Sequence, residues 1–137
     1  MAVEIDVQYL GSLKTKAVHG PSGCTLTTTP PKDNQGDGSS FSPTDLAATS
    51  LATCALTTMV LAARKLGVDL EGATAHVSKG MTAEPPRRIA DLPVALRLPV
   101  GVSKDLRPQL EDAARRCPVA LSLHPDVRAA MTFDWGR

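Results

Sequence analysis

FSPTDLAATSLATCALTTMVLAARKLG, residues 41–67, is the stretch on which the fold turns. Its opening has the residues of a helix start: Ser42 at the cap, Pro43 in the first helical position and Asp45 three residues after the serine. From 46 to 63 no side chain is charged, and Leu46, Leu51, Leu56 and Leu61 recur every five residues, so they spiral round the helix and leave no polar face. A helix of that kind is expected to be buried on all sides. Thr49, Ser50, Thr53, Thr57 and Thr58 interrupt the apolar run, and the start is capped for water, which argues against a membrane span. Arg64, Lys65 and Gly67 close the helix.

Toward the N-terminus, Val3, Ile5, Val7 and Tyr9 alternate with Glu4, Asp6 and Gln8, the period of a strand with one buried face. Gly11 and Ser12 read as a turn, 13–19 as a second strand, GPSG as a second turn and 24–29 as a third strand. PPKDNQGDGSS, residues 30–40, is a loop by composition. Toward the C-terminus, Ala73, Ala75 and Val77 mark a fourth strand, and 92–100 a fifth that Pro93 and Pro99 push toward a sheet edge or a bulge. Ser103 caps a second helix over 104–116, Pro118 restarts a short helical piece and 127–135 is a last strand. This order predicts one α+β domain over residues 1–137, with about six strands around a long buried helix. So small a domain cannot cover such a helix alone, and a second copy, in an intertwined homodimer, is the economical cover.

With 42% apolar and 21% charged residues the chain has the composition of a soluble globular protein, and at 3% aromatic its core must be aliphatic. A formal net charge of +1 gives no footprint for nucleic acid or an anionic membrane surface, so neither is an expected partner. MAVEIDVQYL has no basic region followed by an apolar run, so the expected location is the cytoplasm. There Cys24, Cys54 and Cys117 rest as thiols, and a disulfide among them is catalytic or redox-sensing before it is structural. Cys54 lies deep in the apolar helix and Cys117 at a helix start, while Cys24 reads as structural. His19, His76 and His124 show no ligand spacing, so no metal is expected, nor any other cofactor.

Taken together, SPTDLAATSLATC and RRCPVALSLHPD resemble the OsmC/Ohr family of thiol-dependent peroxidases. DNQGDGSS before the Ser-Pro helix start and the GVDLEG turn add to the resemblance, which extends over nearly the whole chain. It implies an intertwined dimer acting in oxidative or osmotic stress defence on organic hydroperoxides or hydrogen peroxide. The residue matching the peroxidatic cysteine is Cys54, the one matching the resolving cysteine is Cys117, and an external dithiol reduces the resulting disulfide. In the organic-hydroperoxide branch a glutamate follows the helix-starting proline and pairs with an arginine from the N-terminal strands. Here Thr44 stands there, the acid is one residue later at Asp45 as in the broader OsmC-like branch, and no arginine precedes Arg64. Asp45 also reads as a capping-box partner. Lys14, Lys16, His19 and Lys32 are the basic side chains of that region, and Arg87 or Arg88 of the EPPRR loop is a candidate substitute. The competing reading is a non-catalytic dimeric module that binds a hydrophobic small molecule or senses redox state; a thioesterase with sheet wrapped round a helix ranks below it.

Overall fold

The alternation at the N-terminus produces β1 (Ile5–Gly11), which pairs antiparallel with β2 (Lys14–His19); β2 pairs in turn with β3 (Thr25–Thr28). The turn between the first two strands lies one residue later than expected: Ser12 and Leu13 both adopt positive φ, 55° and 66°, the left-handed pair whose twist matches a hairpin. The computed structural model describes residues 1–136 and divides into two compact units, Met1–Leu46 and a second beginning at Ala47.

Within the first unit the period-two apolar face is not buried as expected. Ile5, Val7 and Tyr9 are 60%, 66% and 64% exposed in the single chain. The loop after β3 is held by its own polar groups: Asp37 accepts from the Ser39 hydroxyl and backbone N–H, at 2.7 and 2.9 Å, and from the Thr29 hydroxyl at 3.1 Å. Those bonds, the Ser39 hydroxyl first, hold the Asp37 carboxyl far below the usual carboxylate range. Gly36 is required where it stands, because a Cβ there would run into the Pro30 carbonyl.

The long helix forms as its start signal predicts, as α1 (Pro43–Lys65). Ser42 Oγ accepts from the Asp45 N–H at 3.1 Å and Asp45 Oδ2 accepts from the Ser42 N–H at 2.9 Å, a reciprocal capping box. The chain by itself covers only part of α1. The buried residues Ala48, Leu51, Ala52, Ala55, Met59 and Ala63 form one stripe, while Leu61 is 53% exposed. Small residues make up most of that stripe; of the leucines, Leu51 is buried with it while Leu46 and Leu56 are only partly covered.

The expected six strands are eight among the described residues, in three small sheets. In the second unit, β4 (Thr74–Val77), β7 (Val94–Arg97) and β8 (Met131–Asp134) form one sheet with β7 in the middle, antiparallel to β4 and parallel to β8. The expected strand over 92–100 is thus shorter, and it is central instead of marginal. Pro93 and Pro99 lie just outside its ends, where a missing N–H costs the ladder nothing. A second hairpin, β5 (Gly80–Met81) with β6 (Ile89–Asp91), has no apolar alternation long enough to be read from sequence. The second helix, α2 (Arg107–Arg115), starts later than Ser103 suggests, because Pro108 fits only in a first helical turn. α3 (Pro118–Ser122) follows at once. Leu92, Val94, Leu96, Leu98, Leu110 and Cys117 share one core with the α1 stripe, closed by Trp135, whose Nε1 donates to Glu111 Oε2 at 2.8 Å.

Candidate active site

Two of the three thiols meet in that core. Cys54 lies on α1 and is half-buried; Cys117 is 0% exposed at the N-cap of α3. Pro118 explains why the helix restarts there: its fixed φ suits the first helical position, and its missing N–H would have no intrahelical partner in any case. Cys117 itself stays extended, at φ −64° and ψ 152°, and its Sγ accepts from the Ala120 N–H at 3.5 Å. The thiol thus does the work of a capping hydroxyl.

Burial pushes the Cys117 thiol above its ordinary range. The Ala120 N–H pulls the other way, while Cys54, near enough to hydrogen-bond and to repel it, pushes it further up. Desolvation wins, so Cys117 rests protonated.

Cys54 borders an open groove of about 400 Å³. Ser50, Thr53, Thr57 and Thr58 form its α1 side, and Pro118 and Val119 of α3 face them. The Cys54 Sγ lies 3.9 Å from the Thr58 Oγ1, one helical turn on. A molecule in the groove therefore meets Cys54, with Cys117 out of reach behind it.

The other expected site residues lie elsewhere. Asp45 serves in the capping box, and the Thr44 hydroxyl is 3.2 Å from that of Ser42, so both act at the helix start. Arg87 and Arg88 sit on the exposed loop of the β5–β6 hairpin, where the Arg88 guanidinium donates to the Ile89 carbonyl at 3.0 Å. Neither lines the groove. Cys24, expected inside a strand, is exposed just before β3. Among the described residues no group of three or more His, Cys, Asp and Glu side chains is arranged to hold a metal. Sequence reasoning missed Pro118 and Val119 as groove walls, whereas the four-residue spacing already makes Thr58 a helical neighbour of Cys54.

A helix with an embedded cysteine, a second thiol buried beside it and a mixed set of small sheets define a class, and comparison with known proteins identifies it. The OsmC-like protein family profile matches residues 36–131. A Psychrobacter arcticus protein described as an osmotic stress induced and detoxification response protein is 40% identical over 94% of this chain and 93% of its own, with a TM-score of 0.88. An organic hydroperoxide resistance protein OsmC from Legionella pneumophila, 18% identical over 98% and 97% of the two chains, superposes with a TM-score of 0.75. An OsmC-like protein from Mycoplasma pneumoniae, 15% identical over 100% and 99%, gives 0.80; at these identities the likeness is one of fold. No curated protein sequence matches the chain. The chain belongs to the OsmC-like family.

Proposed function

We propose that the protein is a thiol-dependent peroxidase in which Cys54 is the peroxidatic residue and Cys117 the resolving one. The observation that carries this reading is the pairing of a groove-lining thiol with a fully buried one against it. The Cys54 thiolate attacks the terminal oxygen of a hydroperoxide. The S–O bond forms as the O–O bond breaks, and the departing alkoxide takes a proton from water to leave as the alcohol. Cys54 is then a sulfenic acid. The Cys117 sulfur displaces its hydroxyl, which departs as water with the Cys117 proton, and an external dithiol reduces the disulfide to restore both thiols. The threonine methyls, Pro118 and Val119 suit the hydrocarbon part of an organic hydroperoxide, and the Psychrobacter relative's description as a detoxification response protein agrees with that substrate.

The functional particle in this proposal is a cytoplasmic homodimer. Its support is the apolar surface a single chain leaves open, Ile5, Val7 and Tyr9 on β1 and Leu61 on α1. Such a surface on a soluble protein marks an interface. Arg87 and Arg88 enter the reading only from a second copy, since the hairpin's own chain does not bring them to the groove. In that arrangement, replacing both with alanine slows peroxide consumption at least tenfold.

Single-turnover consumption of hydrogen peroxide and a tertiary alkyl hydroperoxide by the pre-reduced protein tests the proposal. Cys117→Ser should consume one equivalent and stop at a trappable sulfenic acid, whereas Cys54→Ser should consume almost none. Equal reactivity of the two variants would reverse or abolish the assignment.

A further inference from the structure

The hydroxyls along the groove are not equivalent. A serine or threonine inside a helix ordinarily turns its hydroxyl back onto a carbonyl one turn earlier. Ser50 does so, donating to the Ala47 carbonyl at 2.7 Å, and Thr53 does so, donating to the Thr49 carbonyl at 2.8 Å. Thr58 departs from this pattern: its Oγ1 lies 3.9 Å from the Cys54 sulfur. It sits four residues after Cys54, so the helix itself fixes the two side chains on one face. Thr58 is also half-buried at the groove, where water competes less for its hydroxyl than at the exposed Thr57.

We infer that Thr58 is a catalytic residue: its hydroxyl donates to the Cys54 sulfur and stabilises the thiolate that attacks the substrate. No basic side chain lines the groove, so this hydroxyl is the donor the chain itself supplies. A donor on the same helix, one turn away, is pre-positioned and needs no loop closure. Charge-assisted hydrogen bonds to an anion are stronger than neutral ones, so the bond tightens when Cys54 loses its proton and the hydroxyl becomes unambiguously the donor. During attack negative charge leaves the sulfur for the departing oxygen, and Thr58 holds the sulfur aligned until the S–O bond is made.

The peroxide arm of this inference rests on the proposed peroxidase function; the alkylation arm does not. In a Cys24→Ser, Cys117→Ser background Cys54 is the only thiol, and its rate of reaction with iodoacetamide reports it directly. Thr58→Val keeps the side-chain shape and removes the hydroxyl, and should slow both alkylation and single-turnover peroxide consumption about tenfold, equivalent to ~1.4 kcal/mol. Thr58→Ser restores the hydroxyl and should return both rates to within about threefold of the parent. Thr58→Ala serves as a second hydroxyl deletion should the valine variant fail to fold. Unchanged rates in the hydroxyl deletions would overturn the inference, and so would a serine variant as slow as the valine, which would make Thr58 a packing residue. A parent protein that consumes no peroxide while Thr58→Val still slows alkylation would sink the peroxidase reading and leave the role of Thr58 standing.

Discussion

In the proposed cycle Cys117 bonds to Cys54, and we expect its sulfur then to turn away from the Ala120 N–H, so that α3 loses its cap. α3 runs only from Pro118 to Ser122 and has no fully buried residue; Val119 and Ala120 pack partly buried against the core, and that cap and a few local bonds hold the turn itself. Leu121 N–H donates to the Cys117 carbonyl at 3.0 Å and the Ser122 hydroxyl to the Pro118 carbonyl at 2.8 Å, both within the same turn. A helix this short is weak alone, because its nucleation cost is spread over few bonds. An N-cap side-chain bond is worth about 1 kcal/mol. Its loss should raise opening at Ala120 about fivefold, since ~1.4 kcal/mol corresponds to tenfold. Residue-resolved hydrogen exchange by NMR on the reduced and peroxide-oxidised protein reads this directly, with mass spectrometry confirming the disulfide. Cys54→Ser treated in the same way should show no change. A confirmed Cys54–Cys117 disulfide with unaltered exchange at Ala120 would refute the idea that the resolving thiol and the helix cap are one group.

Three further outcomes are expected. Burial raises the Cys117 thiol above its ordinary 9.0, so above that pH the folded chain keeps a proton the unfolded chain releases. This contribution to stability is complete below about pH 9 and declines as pH rises toward the folded value; the difference between melting curves of the reduced protein and of Cys117→Ser should follow that course, and a difference independent of pH would contradict it. Ser42→Ala removes the acceptor for the Asp45 N–H and should cost about 1 kcal/mol, or roughly 3–5 °C in melting temperature, while peroxide consumption stays within twofold; a large loss of activity at unchanged stability would place the helix start in the chemistry instead. Sedimentation at low micromolar concentration should give twice the 14.4 kDa chain mass, and a well-folded monomer would remove the account of the exposed β1 face.

Local signals in the sequence carried far, and they failed where the outcome depends on what a chain meets in space. The start of α1 was legible because Ser42, Pro43 and Asp45 act on one another across three residues, and the structure forms those bonds. The restart at Pro118 was legible for the same reason. Periodicity said which residues share a face, not whether the chain itself covers that face. Val7 of β1 is exposed, and of the α1 leucines Leu51 is buried while Leu61 is exposed. Proline was misread where it flanks a strand. Pro93 and Pro99 are outside the four residues of β7, which leaves β7 free to take the centre of its sheet. At the site, the cysteines came from their resemblance to a family. Thr58 was legible as a helical neighbour of Cys54 from its spacing, but that its hydroxyl meets the sulfur while those of Ser50 and Thr53 turn back onto carbonyls needed the structure.

The burial of Cys117 also sets the pH dependence of the proposed resolving step. Cys117 is held as the protonated thiol by desolvation, a poor nucleophile toward a peroxide and one the groove does not reach. In the proposed cycle it becomes useful only when Cys54, already beside it, turns into an electrophilic sulfenic acid. Attack then needs the Cys117 proton to leave, so below the raised pKa the disulfide-forming step should accelerate with pH, up to about tenfold per unit. The peroxide step uses Cys54 alone and does not involve the Cys117 proton. Stopped-flow mixing with one equivalent of peroxide can separate the steps, since a dimedone-type trap competes with resolution and leaves the first step untouched. Trapping of Cys54 should be efficient near neutrality and fall as pH rises, with Cys117→Ser trapped fully throughout. A trapping yield for the parent that is flat between pH 6 and 9 would mean that Cys117 attacks without its proton limiting the step, and the division of roles by burial would not hold.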